Sequence, residues 1–177
     1  MTLSTKLNES LHNIEYLKKG GFFLKQGKLC TKIGKLTNGV LRGFVYDNDG
    51  NDITTHFYQK EDMIIASYMP NVTIAFNIES LTDCEISVAN YTEIMSSINK
   101  DKELTEVITN EFQKLNNQLQ SRLVSLLNLS SVEKYELFLK EYPNLINQIP
   151  HYYIANYLGI TPTQLSRARK QFINKCK

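Results

Sequence analysis

The basic side chains that could bind an anion or a nucleic acid are concentrated at the end of the chain. From Thr161 onward there are five basic residues and no acidic one. The five are Arg167, Arg169, Lys170, Lys175 and Lys177. Arginine can grip guanine with two hydrogen bonds, glutamine can pair with adenine in the same way, and threonine, serine and lysine can hold phosphates. This composition indicates an interface with a DNA groove.

Two short helices joined by a tight turn are expected to position these side chains. The first is predicted over Pro150–Leu158, because Ile154, Ala155 and Leu158 share one face at helical spacing. Gly159 is expected to end it, since a left-handed residue is needed there.

The second helix is predicted from Pro162 to about Phe172, with Thr161 as its N-cap. Its inward side chains would be Leu165, Ala168 and Phe172. The outward set is Thr163, Gln164, Ser166, Arg167 and Lys170. A helical hairpin with a solvated basic face is the alternative, but the small, glycine and apolar positions favour DNA binding.

Composition limits the class of protein. The chain has 177 residues, of which 42% are hydrophobic, and a net charge of +2, so the basic excess is local. Cysteines occur at 30, 84 and 176 and histidines at 12, 56 and 151. Because no spacing among them matches a metal site, we expect no metal or cofactor and reduced thiols in a cytoplasm. Neither a signal peptide nor a membrane span is predicted.

The first half of the chain is predicted to be mostly β-structure. After a short helix over about residues 4–18, seven apolar segments are separated by turn residues, which is typical of a sandwich, barrel or jelly roll. The segments are Phe22–Lys25, Lys28–Leu36, Val40–Tyr46, Ile53–Tyr58, Met63–Ser67, Val72–Ile78 and Cys84–Ala89. The acidic run at 47–52 is interpreted as a hairpin tip and not a calcium loop, because Tyr58 stands where the loop needs glutamate.

A helical period begins after this region. A short helix is predicted over Tyr91–Ile98, and a long one follows from about Asp101 to Leu127 with an apolar stripe close to a heptad seam. The stripe assigned to a dimer interface is Leu104, Ile108, Phe112, Leu115, Leu119 and Leu123. A helix of this length, about 40 Å, favours a dimer, although packing on the chain's own core is the alternative.

This order of elements, together with specific phrases, resembles the Crp/Fnr superfamily of bacterial transcription regulators. Val40-Leu41-Arg42-Gly43-Phe44 and the 49–55 stretch look like strands of its cyclic-nucleotide-binding β-roll, and 135–167 resembles its Bacteroidetes members. The resemblance implies an α+β protein with three parts. They are a β-roll (jelly roll) sensor at 1–98, a dimerisation helix at 99–127 and a helix-turn-helix DNA-binding domain at 128–177.

The resemblance also implies partners and roles. The partners would be double-stranded DNA and a second copy of the chain, with RNA polymerase and a small-molecule effector as further candidates. Arg167 matches the family's guanine-reading arginine, and Thr163 and Gln164 match neighbouring base-reading positions. Thr161 and Ser166 would face phosphates.

The nucleotide pocket departs from the family pattern. In place of the Gly-Glu and Arg-Ser pairs that hold the nucleotide, the sequence reads Met63-Ile64-Ile65-Ala66-Ser67 and Val72-Thr73-Ile74-Ala75-Phe76. No arginine or lysine lies between Lys60 and Lys100. A cyclic phosphate there would be an unpaired buried anion, so we predict no binding of cyclic AMP. The candidate effector pocket consists of Ile64, Ile65, Ala66, Ile74 and Phe76, which either hold another ligand or pack against each other.

Two other classes of function remain for comparison. A ligand-binding or protein-interaction module that has lost DNA binding is the main alternative, and the exposed basic face argues against it. Catalysis is not expected, because the sequence shows no nucleophile–base set, no phosphate-binding glycine loop and no paired carboxylates in an apolar setting.

Overall fold

A computed structural model describes residues 5–69 and 71–175 of the chain. Pro70, at a predicted turn, and the C-terminal Cys176 and Lys177 lie outside the described residues, as does the first residue of the predicted N-terminal helix. The chain divides into two compact units, Met1–Lys114 and Leu115–Lys177. The division falls inside a long helix, whereas the sequence suggested boundaries after residues 98 and 127.

Antiparallel β-structure dominates the described part of the N-terminal unit, as predicted. Its helix α1 (Thr5–Ser10) is followed by eight strands, which form two four-stranded sheets of order β1-β8-β3-β6 and β2-β7-β4-β5. The strands are β1 (Asn13–Leu17), β2 (Phe22–Leu24), β3 (Lys32–Asn38), β4 (Leu41–Tyr46), β5 (Asp52–Tyr58), β6 (Met63–Ile64), β7 (Asn77–Ser80) and β8 (Cys84–Asn90).

The acidic run forms the tip of the β4–β5 hairpin, as predicted. Asp47 Oδ1 accepts the backbone N–H groups of Asp49 and Asn51 at 2.9 and 2.8 Å. Gly50 closes the turn with a left-handed φ of +83°. The first carboxylate of the run therefore stabilises its own turn.

The predicted helix over 4–18 is wrong in its second half. The chain turns after α1, and Asn13–Leu17 pairs with β8 as an edge strand, with Ile14 opposite Ser87. Leu7 and Leu11 are buried, but Ile14 is 52% exposed. Spacing alone placed these apolar residues on one helix face, and pairing with a strand 70 residues later overrides it.

Several predicted strands are shorter or shifted. The Lys28–Leu36 segment enters the sheet only at Lys32, and Met63–Ser67 contributes two residues. Most of Val72–Ile78 is irregular, touching residue 29 by one isolated bridge before β7 begins at Asn77. Apolar β-branched residues are buried in this segment without belonging to a strand ladder. Composition alone does not distinguish such residues from those of a true strand.

A buried arginine joins three strands of the second sheet. Arg42, on β4, is 2% exposed. Its Nε donates to Glu79 Oε1 on β7 at 2.8 Å, and its Nη1 contacts Asp52 Oδ2 on β5 at 2.5 Å and donates to Thr54 Oγ1 at 3.2 Å. The guanidinium also lies 4.3 Å from the centre of the Phe44 ring. Its charge is thus compensated within the sheet.

Helix α2 (Tyr91–Ser97), a 3-10 turn (Ile98–Lys100) and α3 (Lys102–Asn128) follow the sheets. The first turns of α3 complete the core of the N-terminal unit, where Leu104 and Ile108 are 0% and 5% exposed. We assigned these two residues to the dimer stripe, and that assignment needs correction. They pack on the chain's own core because α3 begins directly beside the β-structure it follows.

The C-terminal unit continues with α4 (Ser131–Glu141), a 3-10 turn (Leu145–Asn147), α5 (His151–Leu158) and α6 (Pro162–Lys175). The expected capping box starts α4: Ser130 Oγ accepts the N–H of Glu133, and the Glu133 carboxylate accepts the N–H of Ser130. The core of the C-terminal unit is aromatic and includes Phe138, whose ring centre lies 6.0 Å from that of Tyr157.

Candidate nucleic-acid interface

The turn between α5 and α6 has the geometry that the sequence predicted. Gly159 adopts φ +62°, its N–H donates to the carbonyl of Asn156 at 3.1 Å, and the N–H of Ile160 donates to the carbonyl of Ala155 at 3.0 Å. These two bonds form a Schellman motif, which satisfies carbonyl groups that the end of a helix leaves open. The turn therefore fixes the direction in which α6 leaves α5.

Gly159→Ala is expected to destabilise the C-terminal unit by about 1–2 kcal/mol, because a left-handed conformation is costly for a residue with a side chain. The new Cβ would also lie 3.0 Å from Leu126 Cδ2. Thermal and urea unfolding would measure the loss. Gly50→Ala is the control, since φ is +83° there but no atom lies within 4 Å of the added Cβ. If Gly159→Ala loses no more free energy of unfolding than Gly50→Ala, the close approach to Leu126 does not add to the cost of the substitution.

Thr161 and Gln164 form a capping box at the start of α6. Thr161 Oγ1 accepts the N–H of Gln164 at 3.2 Å, and Gln164 Oε1 accepts the N–H of Thr161 at 2.8 Å. Pairing with adenine would use both the oxygen and the nitrogen of the glutamine amide. The structure commits that oxygen to the helix cap, so Gln164 acts first as a positioning residue for α6.

The remaining side chains of α6 separate as predicted. Leu165 and Ala168 are each 1% exposed, and the half-buried Phe172 packs against Tyr135 with 5.7 Å between ring centres. The six residues assigned to DNA binding are all exposed: Thr161, Thr163, Gln164, Ser166, Arg167 and Lys170. Thr163, Ser166, Arg167 and Lys170 share one solvent-facing side of α6, whereas Thr161 and Gln164 lie at its N-terminal cap.

Arg122, which the sequence analysis did not select, anchors α5 within the C-terminal unit. Its Nη2 donates to the carbonyl of Tyr157 at 3.1 Å, and its guanidinium lies 4.4 Å from the centre of the Tyr157 ring. A cation beside the carbonyls that end a helix is favourable. Burial lowers the pKa of the Arg122 guanidinium and raises that of the Tyr157 hydroxyl to about 12. The hydroxyl stays protonated and donates to Glu141 Oε2 at 3.4 Å.

A second basic group lies beside the predicted set. Arg169 Nη1 lies 3.0 Å from Nδ1 and 3.1 Å from Nε2 of His151, the first residue of α5. Both residues were left out of the predicted interface. The basic character of Arg169 was the one sequence signal that could have included it in the interface. Its contact with His151 could not be predicted from local spacing, because the two residues are 18 positions apart.

An exposed apolar face runs along the second half of α3. Leu119 and Leu123, from the predicted dimer stripe, are 45% and 58% exposed. Val124 and Leu127 are also exposed and belong to the same side of the helix, although the prediction did not include them. Leu115 is half-buried, and Phe112 is 47% exposed although its ring packs edge-on against that of Tyr68 with 4.9 Å between ring centres. The stripe is thus divided between the core of the N-terminal unit and an open face.

The candidate effector residues lie in the core of the N-terminal unit. Ile64, Ile65 and Ile74 are between 0% and 5% exposed, and the half-buried Ala66 and Phe76 pack against the same core. Over the described residues, no group of three or more potential ligand side chains could hold a metal ion. Among those same residues, no helix combines the length and hydropathy that crossing a membrane requires.

Comparison with known proteins gives structural likeness only. No family model matches the sequence, and no curated protein is similar to it in sequence. FixK2 from Bradyrhizobium japonicum superposes with a TM-score of 0.82 at 14% identity, over 92% of this chain and 85% of that one. A transcriptional regulator assigned to the Crp/Fnr family from Eubacterium rectale superposes with a TM-score of 0.75 at 17% identity, over 98% and 85% of the two chains.

The c-di-GMP-responsive global regulator CLP from Xanthomonas campestris is similar at 10% identity, with a TM-score of 0.73 over 96% of this chain and 91% of that one. These identities are too low to carry over a ligand or a DNA sequence. The superpositions cover both units, however. The chain therefore shares the fold of these solved structures, one of which is assigned to the Crp/Fnr family.

Proposed function

We propose that the protein is a homodimeric, sequence-specific DNA-binding transcription regulator that reads the major groove with α6. In this proposal α5, the Gly159 turn and α6 form a helix-turn-helix motif. The observation that carries it is the exposed face of α6. Arginine, lysine, serine and threonine project from one side of a helix whose start and direction are fixed by a cap and a glycine turn. Such a helix can enter the groove with its N-terminal residues toward the bases.

The roles within the motif are assigned from the exposure and position of each side chain and, for Gln164, from its hydrogen bonds in the cap. Arg167 is exposed and lies within the first two turns of α6, so its guanidinium can reach guanine. Thr163 is the neighbouring base-reading candidate, while Thr161, Ser166 and Lys170 would hold phosphates. Gln164 keeps α6 capped and can offer its amide nitrogen to DNA while its oxygen stays in the cap.

A dimer is the second part of the proposal. Leu119, Leu123, Val124 and Leu127 present apolar surface along about two turns of α3. A second copy can bury this face, and a symmetric pair of helices would bring two reading helices to one DNA site. We expect half-site centres about 34 Å apart, one turn of the double helix.

The N-terminal unit is proposed to support the dimer without binding cyclic AMP. Arg42 is already paired with two carboxylates, and the isoleucines of the candidate pocket are buried in the core. A cyclic phosphate would find no free cation among these side chains. An effector of another kind, and contact with RNA polymerase, stay open to experiment.

Selection of bound duplexes from a random DNA pool, at near-physiological salt, tests the proposal. We expect an enriched inverted repeat with half-sites about one helical turn apart. The selection is repeated with cell extract, so that a missing effector is not mistaken for missing function. Absence of enrichment in both experiments would reject the DNA-binding function in favour of a protein-interaction or ligand-binding module.

Arg167→Ala is expected to weaken binding to the selected site by about 1–3 kcal/mol and to relax the preference for one base, because a bidentate contact to guanine is lost. Lys170→Ala provides the comparison. It should weaken binding to all sequences to a similar degree. The slope of log binding constant against log salt concentration should fall in magnitude by about one, since one fewer counterion is released. Salt-titrated mobility shifts on specific and random duplexes would measure both. Identical behaviour of the two variants would contradict the assignment of Arg167 to base reading.

A further inference from the structure

One buried hydroxyl group of the N-terminal unit has no hydrogen-bond partner. Tyr91, the first residue of α2, is 3% exposed, and among the residues that the structure describes no group is in hydrogen-bonding geometry with its hydroxyl. Burying a hydroxyl in this way weakens a fold, because its hydration is lost without compensation. Such groups are rare in native proteins. The Tyr91 hydroxyl therefore marks a place where an acceptor from outside the chain can bind.

A cysteine and a serine lie beside this hydroxyl. The backbone N–H of Tyr91 donates to the carbonyl of Thr31 at 3.1 Å, which places α2 next to Cys30. The Cys30 thiol is free and the residue is 7% exposed. Burial raises the pKa of the Tyr91 hydroxyl, and Ser67 and Cys30 are close enough to have smaller effects on it. The phenol thus stays protonated and is available as a donor.

The surroundings of the hydroxyl offer no free charge. Ser67 is committed to its own turn, since its Oγ donates to the carbonyl of Met69 at 2.9 Å and accepts the N–H of Met69 at 3.2 Å. Lys32, which follows Cys30 closely in the chain, donates from Nζ to Glu15 Oε1 at 2.7 Å. A carboxylate or phosphate buried beside Tyr91 would stay uncompensated. A ligand at this place is therefore uncharged.

Apolar side chains make up the rest of this environment. Three of the candidate effector residues, Ile64, Ile65 and Ile74, belong to the same buried cluster as Cys30 and Tyr91. A site with apolar walls and one well-placed polar group is typical of sites for small molecules. The polar group fixes the orientation of the ligand, and the walls bury its hydrocarbon part.

The chain between β6 and β7 can open toward this environment. Over residues 71–76 only Thr73 takes part in a strand bridge, which is an isolated one with Leu29. Leu29 and Val72 lie beside this bridge and are 55% and 43% exposed, so apolar surface continues to the outside of the unit. A segment with so little pairing opens at a low cost in free energy. An apolar molecule can enter here.

We propose that the N-terminal unit binds a small, uncharged, mainly apolar molecule with a carbonyl group, whose oxygen accepts a hydrogen bond from the Tyr91 hydroxyl. Ile65 and Ile74 bury the hydrocarbon part of the ligand. The carbonyl compensates the hydroxyl that the folded chain leaves unpaired, so binding stabilises the unit. Control of α6 by such a ligand rests on the proposed function, whereas its binding to the N-terminal unit does not.

Thermal unfolding of the full chain with 2-heptanone tests the site, and heptanoate serves as the charged probe of the same chain length. At ten times its dissociation constant the ketone should raise the midpoint by about 4 °C, and heptanoate at the same concentration should not. Tyr91→Phe should bind the ketone about 3- to 10-fold more weakly. Without the ketone this variant should be at least as stable as the wild type, since it lacks only an unpaired hydroxyl. Tyr16→Phe, at a tyrosine that is 74% exposed, is the control and should change neither property.

Infrared spectra of 2-heptanone, isotopically labelled at its carbonyl carbon, report the hydrogen bond directly. The carbonyl band of the bound ketone should lie at lower frequency with the wild type, and Tyr91→Phe should remove this shift. Neither measurement contains DNA, so a failure to bind DNA would leave this proposal standing. A lower midpoint for Tyr91→Phe without the ketone would show that water already satisfies the hydroxyl, and would overturn the proposal. Equal stabilisation by heptanoate, no saturable effect of the ketone, or a shifted band that persists in Tyr91→Phe would overturn it too.

Discussion

The double variant Leu119→Glu, Leu123→Glu is expected to be a folded monomer that no longer binds an inverted repeat tightly. The two leucines are 45% and 58% exposed in the single chain, so glutamate costs the fold little. A dimer would bury the exposed half of each side chain, which contributes about 1 kcal/mol per leucine. Losing this contribution from four leucines per dimer should raise the dissociation constant of the dimer about 1,000-fold.

Analytical ultracentrifugation gives the oligomeric state, and circular dichroism checks that the helices remain. Ser121→Glu is the control, because Ser121 is exposed and the new charge lies on the side of α3 opposite Leu119 and Leu123. It should leave the dimer intact. A wild-type protein that is monomeric at high concentration, or a double variant that remains dimeric, would show that the exposed face of α3 is not the dimer interface.

Removing the side chain of Arg42 is the substitution expected to cost most stability. Arg42→Ala would leave Glu79 and Asp52, whose side chains are 14% and 20% exposed, without their common partner. Breaking a buried ion pair on one side typically costs 3–5 kcal/mol. For a chain of this length we expect the unfolding midpoint of the N-terminal unit to fall by about 10 °C or more.

The control for Arg42→Ala is Lys18→Ala, which removes a cation from an ion pair in the same unit. Lys18 pairs with Asp83 at 2.7 Å, but the side chains are 89% and 63% exposed. Such a surface pair is weak, so the midpoint should barely change. Adding Glu79→Gln to Arg42→Ala should recover part of the loss, because one uncompensated charge disappears. If Arg42→Ala and Lys18→Ala have similar effects, the buried network is not what holds these strands together.

Local signals made the C-terminal half of the chain readable from sequence. Gly159, Thr161 and Pro162 mark the end of one helix and the start of the next by sterics and hydrogen bonds that act within a few residues. The capping box at Ser130 was recognised in the same way. Thr161 and Gln164 fit the same capping-box pattern. The sequence analysis missed this second capping box because it assigned Gln164 to the outward, DNA-binding face.

Apolar periodicity located α3 but did not say what each part of it covers. Leu104 and Leu123 follow the same spacing, yet the first is fully buried and the second is 58% exposed. Burial depends on whether the chain places another surface opposite that turn of the helix. The core of the N-terminal unit covers the beginning of α3, so only the later leucines remain for a partner.

The amino-acid sequence was enough to predict the alternation of β-structure and helices, the turn at Gly159 and the basic outward face of α6. These follow from backbone sterics, capping and spacing over three to five neighbouring residues. Three features became visible only in the folded chain: Asn13–Leu17 is a strand, Arg42 joins Asp52 to Glu79, and Arg122 holds the end of α5. These contacts join residues between 10 and 75 positions apart. No local pattern specifies such pairs, because their free energy depends on which distant segments exclude water from the same place.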